Sequence, residues 1–290
     1  MKIIRVDEEY INTLVQYRLH KDIKNQEAIF YVYNNDYLLK LFKSNDFMTL
    51  NNKMYILNKL FYIKKYVDIE EIVWPNDLVK VGSINRGFIM NFIKYNSNVG
   101  LIFNSDKVSI EDKLFFLKSI GNILKKLENN NSLKSIDFHL SDIHEGNFIY
   151  DSKNNNVKII DIDSSYVEGA IPSISEFLYR NDKLWDFPNK YPLDENNIHI
   201  PSKNTTILSF VYILLNFITG YYSPDMTTHD FSETLNILNN IGVNKELLDS
   251  IFNVYSTEDN YFDYGLLECI TPDVINKYKE LSLKNYWHQY

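Results

Sequence analysis

Two short runs of apolar residues lie on either side of a polar turn in the middle of the chain. The first run is 147–150, the turn is 151–156, and the second run is 157–160. Turn-forming residues between two short β-prone runs are typical of a β-hairpin. A hairpin brings its two open ends side by side. Residues that precede its first strand are therefore expected to lie close to residues that follow its second strand.

Acidic and amide side chains occupy those two ends. Asp142 and Asn147 lie at the start of the first strand, and Asp161 and Asp163 follow the second. Carboxylate and amide oxygens that converge on one point are the ligands that Mg²⁺ prefers in proteins. The pattern therefore predicts a magnesium site that contains Asn147, Asp161 and Asp163. The alternative is an ordinary exposed hairpin whose Asp and Asn residues only solvate its turns.

Two motifs at this spacing resemble those of the protein kinase superfamily. The sequence DIHEGN, from Asp142 to Asn147, is similar to the catalytic loop, in which an Asp is followed five residues later by an Asn. The sequence IDIDSS resembles the I-D-x-D-S of certain bacterial kinase-like proteins and places Asp161 where the metal-binding D-F-G motif stands. The resemblance implies that Asp142 receives or orients the proton of the acceptor hydroxyl, and that Asn147 and Asp161 hold Mg²⁺. It implies that Asp163 is a further ligand or shapes the loop.

The N-terminal part of the resemblance centres on Lys40. Residues 28–42 contain two β-rich runs around an Asn-Asn-Asp turn, which predicts a second hairpin. Its second strand, 37–42, resembles the kinase strand whose lysine contacts the α- and β-phosphates of ATP, and Lys40 matches that lysine. Lys43 is the competing assignment, but alternation along a strand places the two lysines on opposite faces. The other interpretation is that Lys40 is a surface lysine on an amphipathic strand.

Two features depart from the family pattern. Residues 23–28, in the place of the glycine-rich loop that covers the phosphates, contain no glycine. Side chains there restrict how closely the backbone approaches a phosphate. The helix predicted at 49–66 has no Glu or Asp to pair with the strand lysine, and Asn58 is only a neutral replacement. Lys40 is therefore expected to pair with Asp161 or with the nucleotide itself.

Two further strands are predicted on either side of the turn at 82–83. The sequences WPNDLV and GFIMNFI, which flank this turn, resemble the fourth and fifth strands of the same bacterial kinase-like group. The resemblance implies that Met90 lies beside the adenine. It also implies that Asn91 to Ile93 form the hinge that supplies backbone hydrogen bonds, and Ala28 is assigned to the nucleotide site as well. On local sequence alone, an antiparallel hairpin that ends an N-terminal sheet is equally compatible.

The rest of the chain is predicted to be mainly helical. Residues 109–129 carry an apolar stripe at helical spacing behind a capping-box-like pair, Ser109 and Asp112. Residues 206–220 are apolar on nearly every face and end at a glycine, which predicts a buried central helix. Thr206 stands where kinases carry an Asp that holds the catalytic loop. The remaining predicted elements are a strand at 2–6 and helices at 8–18, 231–239, 245–255 and 271–281.

Composition excludes several function classes. A net charge of −8 opposes binding to nucleic acids or to anionic membranes, because both require a basic surface. A single cysteine, Cys269, excludes an intramolecular disulfide and is typical of a reducing compartment. No apolar segment follows a basic N-terminus, and the longest apolar run, 207–222, is too short to span a bilayer comfortably. We therefore expect a cytoplasmic protein with no nucleic-acid or membrane partner.

Together these features predict an α+β chain with a bilobal protein kinase-like fold, and the resemblance covers about residues 23–220. The N-lobe, 1–93, is expected to be an antiparallel sheet with one helix, and the C-lobe, 94–290, to be mostly helical. The implied function is ATP- and Mg²⁺-dependent phosphoryl transfer by a Ser/Thr protein kinase to a protein substrate or to itself. Two alternatives stay open: a pseudokinase that binds nucleotide or other proteins without catalysis, and a small-molecule kinase of the aminoglycoside or choline type.

Overall fold

The structure is a computed structural model that describes residues 2–17, 27–44, 46–93, 98–170, 200–220, 226–256 and 261–287. Most of the glycine-free loop, at 23–26, and the expected lobe boundary, at 94–97, lie outside the described residues. Within the described ranges the chain is α+β, with a six-stranded sheet, a two-stranded sheet and helices. This agrees with the α+β part of the prediction.

The larger sheet contains both predicted N-terminal hairpins. Its strands in chain order are β1 Ile3–Val6, β2 Gln16–Tyr17, β3 Ala28–Tyr33, β4 Tyr37–Phe42, β5 Pro75–Val81 and β6 Ile84–Asn91. The strand order across the sheet is β1-β5-β6-β4-β3-β2. The pairs β3–β4 and β5–β6 are antiparallel, as predicted. Asn34 and Asn35 close the first turn with φ of 50° and 61°, in the left-handed region that Asn enters more readily than most residues.

The prediction of an antiparallel sheet is wrong at one edge. Strand β1 pairs in parallel with β5, with Ile3 opposite Leu78 and Val6 opposite Val81, so the sheet is mixed. Parallel neighbours need a long connection, and a pairing over such a distance leaves no mark in the local sequence. A short helix, α1 Glu8–Thr13, follows β1, so the helix predicted at 8–18 is present and the sheet has more than the one helix expected for the N-lobe. It ends earlier than the predicted 8–18 because the chain continues into β2.

Side chains of β4 alternate between two buried faces of the sheet. Leu39 and Leu41 belong to an apolar cluster that includes Ile11 of helix α1. Because successive residues of a strand point to opposite faces, Lys40 faces the other side. Helix α2 Phe47–Ile63 packs against β5 and β6 and continues into a 3₁₀ turn, Lys64–Tyr66. The helix predicted at 49–66 is confirmed.

The central hairpin is also confirmed, and each of its strands is shifted by one residue toward the turn. It consists of β7 Phe148–Asp151 and β8 Asn156–Ile159, which form the two-stranded sheet. Asn155 has a φ of 52° in its turn, which again suits an Asn. A short helix, α5 Asn131–Lys134, lies earlier in the chain.

The chain divides into two compact units. The first combines Met1–Asn96, Asn130–Phe138 and Tyr150–Ser173, and the second combines Ser97–Asn129, His139–Ile149 and Ile174–Tyr290. The boundary predicted at residue 93 lies close to the end of the first segment of the first unit. The segments 130–138 and 150–173 were assigned to the C-lobe by sequence, yet their contacts group them with the sheet.

The described residues of the second unit are mainly helical and pack around one buried helix. Its helices are α3 Val99–Phe103, α4 Ile110–Asn129, α6 Lys203–Thr219, α7 Thr228–Asn240, α8 Lys245–Ser256 and α9 Pro272–Trp287. Every side chain from Ile207 to Leu215 in α6 is at most 2 % exposed, and α6 contacts α4, α8 and α9. The predicted buried helix is therefore confirmed. The described helices include none long and apolar enough to cross a membrane.

The central position of α6 predicts how its mutation changes stability. Leu214→Ala removes a fully buried side chain and should lower the free energy of unfolding by about 2–5 kcal/mol, measured by urea denaturation. Leu101→Ala on α3 is the matched control, because its side chain is 61 % exposed. The control should change the unfolding free energy by less than about 1 kcal/mol. Equal losses in the two variants would contradict the central position of α6.

Candidate functional site

Lys40 is a buried charge on strand β4. Its side chain is 3 % exposed, and its Nζ lies 5.7–5.8 Å from the ring centres of Phe30, Phe42 and Phe88. Removing an ammonium group from water is costly unless a charged partner replaces the water. The interpretation of Lys40 as a surface lysine is therefore wrong. Lys43, the competing assignment, is exposed.

Two carboxylates compensate the charge of Lys40. Its Nζ forms an ion pair with Asp161 Oδ1 and lies 2.8 Å from both carboxylate oxygens of Asp163. An ammonium group has three hydrogens, so these three oxygens account for all of its donors. Asp161 is 121 residues from Lys40 in the sequence. The structure thus brings together the lysine and the acid that were expected to pair.

The loop after β8 directs both carboxylates toward Lys40. Asp161 has a left-handed backbone, with φ of 63°, and a 3₁₀ turn, Ile162–Ser164, follows it. Asp enters this conformation more readily than most residues other than glycine. The Asp163 side chain is 1 % exposed, whereas that of Asp161 is 29 % exposed. Asp161 is therefore the carboxylate that retains access to solvent.

A second buried lysine, Lys53, lies on helix α2. Its Nζ is 2.9 Å from Glu27 Oε2 and 3.8 Å from Asp163 Oδ2. It also donates to the Asp163 carbonyl oxygen at 3.4 Å and to Ser164 Oγ at 3.3 Å. Helix α2, which has no acid, thus contributes a lysine to these contacts, and Asn58, the neutral replacement, is exposed. We call the following residues the lysine–carboxylate cluster: Glu27, Lys40, Lys53, Asp161 and Asp163.

Burial and charge act in opposite directions on the pKa values of this cluster. Burial alone lowers the pKa of Lys40, but the charges and hydrogen bonds of Asp161 and Asp163 raise it above its ordinary value. Burial opposes ionisation of Asp161, yet the charges of Lys40 and Lys53 lower its pKa to about 2. Burial and the negative charge of Asp161 raise the pKa of Asp163 to about 6, against the attraction of both lysines. Asp161 is therefore ionised throughout the neutral range.

In the second unit, hydrogen bonds join Asp142 to Asn147. The Asn147 Nδ2 donates to the Asp142 carbonyl oxygen at 2.8 Å and to Asp142 Oδ2 at 3.2 Å. His144 Nε2 lies 3.7 Å from Asp142 Oδ1, while His144 Nδ1 accepts from the Gly146 N–H at 3.0 Å. The amide oxygen of Asn147 stays outside the contacts with Asp142. It is the atom that this side chain has to offer a cation.

Helix α6 holds the loop that contains Asp142. The Asn216 Nδ2 donates to Glu145 Oε1 at 3.2 Å, three residues after Asp142. The Thr206 hydroxyl lies 3.3 Å from the Leu140 carbonyl oxygen, two residues before Asp142, and 3.1 Å from the Ser202 carbonyl oxygen at the start of its own helix. Thr206, which replaces the Asp of the family pattern, thus shares its single neutral donor between the loop and helix α6.

Two residues assigned to the nucleotide site share a face of the sheet with Lys40. Met90 is buried and lies opposite Leu38, and Ala28 is buried and lies opposite Phe42. Leu38, Lys40 and Phe42 are alternate residues of β4, so they point to the same face. Directly opposed residues of neighbouring strands also share a face. The sheet therefore presents Met90 and Ala28 on the face from which Lys40 projects.

The proposed hinge residues lie at the end of β6. Asn91 is exposed, and its Oδ1 accepts a hydrogen bond from Asn76 Nδ2 at 2.8 Å. Ile93 is half-buried. Between them, the Phe92 N–H donates to the Asp36 carbonyl oxygen at 2.9 Å, so this backbone donor is already used within the first unit.

Lys53 was not among the predicted site residues, although its position in the sequence indicates that it is buried. Lys53 falls within the helical spacing of Leu50, Met54 and Leu57, which are all buried. A lysine inside an apolar stripe has to find a buried partner, because its ammonium cannot stay uncompensated there. Glu27, its closest partner, has no comparable local pattern.

No protein-family model matches this chain, and no curated protein sequence matches it. Any assignment of function therefore starts from its own residues and their contacts. Among the described residues, the side chains singled out by sequence fall into two groups of contacts: the lysine–carboxylate cluster of the first unit and the Asp142–Asn147 pair of the second.

The raised pKa of Asp163 predicts a pH-dependent stability in the absence of divalent metal. A carboxyl whose folded-state pKa is about 6 and whose unfolded pKa is near 3.8 stabilises the fold most at low pH. That stabilisation is lost as pH rises through about 6. The unfolding free energy of the wild type minus that of Asp163→Asn should therefore fall between pH 4 and pH 6, by at most roughly 1.4 kcal/mol per pH unit.

Urea denaturation of both proteins at several pH values in EDTA measures this difference. Asp161 drops out of this difference, because it is present in both proteins: its folded-state pKa of about 2 leaves it ionised in the folded state above pH 4, and its unfolded-state titration is the same in the two. A difference that is constant or rises between pH 4 and pH 6 would contradict the assignment.

Proposed function

We propose that this chain is an ATP- and Mg²⁺-dependent phosphotransferase with the bilobal fold of protein kinases, and that it phosphorylates a hydroxyl group of a protein or of itself. The observation that carries the proposal is the contact of buried Lys40 with Asp161 and Asp163. The motifs assign Lys40 to phosphate binding and Asp161 to metal binding, two roles that require proximity. Their contact across 121 residues supports both assignments.

In the first unit, Lys40 is the proposed ligand of the α- and β-phosphates. Its raised pKa keeps it positively charged at neutral pH, as this role requires. Asp161 is the proposed metal ligand, because its carboxylate is ionised and partly open to solvent. An ionised carboxylate is a hard oxygen donor, which suits Mg²⁺. Bound Mg²⁺ supplies positive charge that stabilises the transferred phosphoryl group.

In the second unit, Asp142 is proposed to receive or orient the proton of the acceptor hydroxyl. Asn147 donates one hydrogen bond to the Asp142 carboxylate and one to its backbone carbonyl oxygen, and these two contacts orient Asp142. The bond from Asn216 to Glu145 connects the same loop to helix α6. Asn147 is proposed to direct its free amide oxygen to the cation. Catalysis of this kind depends mainly on positioning and electrostatics, so the chain has to hold these groups in place rather than form a covalent intermediate.

A second candidate function is that of a pseudokinase, which binds nucleotide or protein partners without transferring phosphate. The observation that favours it is the complete set of carboxylate contacts around Lys40. A phosphate has to replace at least one of them before Lys40 can bind it. The lysine on helix α2, in place of an acid, adds a further departure from the catalytic pattern.

Incubation with Mg²⁺ and ATP tests the catalytic proposal directly. The wild type should gain mass in increments of one phosphate in an intact-mass spectrum. Asp142→Asn keeps the shape of the side chain but cannot accept the proton. It should phosphorylate at least about 100-fold more slowly, the usual contribution of such a group. Equal incorporation in both proteins would remove Asp142 from the mechanism.

An ATP-dependent thermal shift separates the candidate functions. Wild type and Lys43→Met, the control with an exposed lysine, should both be stabilised by Mg²⁺-ATP, whereas Lys40→Met should lose most of the shift. Circular dichroism first checks that Lys40→Met is folded.

A shift without phosphate incorporation supports the pseudokinase, and ADP release that depends on an added hydroxylated metabolite supports a small-molecule kinase. If the wild type shows neither phosphate nor a shift, both nucleotide-dependent functions are wrong.

A further inference from the structure

The two carboxylates that contact Lys40 differ in exposure and in geometry. Asp161 uses one oxygen and is 29 % exposed, whereas Asp163 uses both oxygens at 2.8 Å and is 1 % exposed. A group that binds an external cation needs access to solvent. Asp161 has this access, and Asp163 does not. Asp163 is instead a fixed partner of Lys40.

Lys53 is a second buried lysine in contact with the turn that contains Asp163. Three of its contacts reach the 3₁₀ turn: the carboxylate and the carbonyl oxygen of Asp163, and the hydroxyl of Ser164. Lys53 is itself neutralised by Glu27 at 2.9 Å, and its Nζ lies 5.6 Å from the ring centre of Phe42. Charges therefore alternate along a buried line from Lys40 through Asp163 and Lys53 to Glu27.

We infer that Asp163 and Lys53 are positioning residues that together replace the missing acid of helix α2. Asp163 keeps Lys40 in place while Asp161 is free to turn to a cation, and Lys53 ties this arrangement to the helix. The inference rests on the proposed function, because the group being positioned is the phosphate-binding lysine. It differs from the earlier expectation that Asp163 is a further metal ligand.

The energetic basis is the cost of an unpaired buried charge. Removing one member of a buried ion pair leaves its partner desolvated, which is far more costly than losing an exposed pair. In Lys53→Met, the Asp163 carboxylate keeps its ion pair with Lys40 but loses its contact with Lys53. Glu27 loses its ion pair with Lys53. The turn that contains Asp163 is then no longer held to helix α2 at this point, so Lys40 loses its fixed orientation.

The same helix offers a matched control. Lys59 Nζ contacts Glu168 Oε2 at 2.5 Å, and Tyr55 donates to the same carboxylate oxygen at 3.1 Å. This second link also joins helix α2 to the chain that follows Asp163, but the Lys59 and Glu168 side chains are each 33 % exposed. Exposed ion pairs contribute little because water and salt screen them. Lys59→Met is thus the same substitution on the same helix without a buried charge.

Steady-state kinetics of wild type, Lys53→Met and Lys59→Met test the inference. We expect the KM for Mg²⁺-ATP to rise at least about tenfold in Lys53→Met, and to stay within about twofold of the wild type in Lys59→Met. A residue that only supports the fold would reduce the amount of active enzyme and the thermal stability, but not change the KM of the folded fraction. An unchanged KM in Lys53→Met would therefore overturn the inference.

A second measurement needs no nucleotide. The rate at which Lys40 is acetylated by a water-soluble reagent is followed by peptide mass spectrometry, relative to exposed Lys43 in the same sample. This rate should rise at least about tenfold in Lys53→Met and stay unchanged in Lys59→Met, because loss of the buried contact lets the turn open. Equal protection of Lys40 in all three proteins would overturn the inference. If the wild type fails to bind ATP, the proposed function is wrong, and the acetylation rates alone decide the role of Lys53.

Discussion

A lysine ammonium group enclosed by three phenylalanine rings needs carboxylate partners, and this requirement on Lys40 organises the first unit. It draws the turn after β8 toward strand β4, so that Asp161 and Asp163 come from more than 120 residues away. It also explains the left-handed backbone of Asp161, because this turn directs both carboxylates to one ammonium group. Helix α2 then joins the same turn through Lys53.

In the lysine–carboxylate cluster, and in the proposed reaction, the Lys40 ammonium group pairs with anionic oxygens. Three carboxylate oxygens occupy the three donors of Lys40, much as phosphate oxygens would. Exchange of one carboxylate contact for a phosphate contact keeps the ammonium compensated, so binding does not leave a buried charge unpaired. The two acids differ in exposure as well as in charge state. Asp161 is ionised at neutral pH and partly open to solvent, whereas Asp163 is buried.

Local sequence predicted those elements whose stabilising contacts are themselves local. The hairpins around 34–36 and 151–155, and the apolar stripe of α4 behind its Ser109–Asp112 cap, follow from turn chemistry and periodicity. The same reasoning failed for β1, because its parallel partner β5 lies over 70 residues away. Local sequence also carries no signal that 130–138 and 150–173 have most of their contacts with the first unit, because tertiary packing sets these neighbours.

The sequence by itself determined the types of chemistry that this chain can offer: a lysine on an apolar strand, an Asp and an Asn five residues apart, and two Asp residues after a hairpin. It also determined that helix α2 has no acid to offer. Only the tertiary structure decided which charges meet. Whether Lys40 pairs with Asp161 or Asp163, and whether Lys53 is a buried link or a surface residue, depends on desolvation and distance. Both quantities arise only when segments far apart in the chain are packed together.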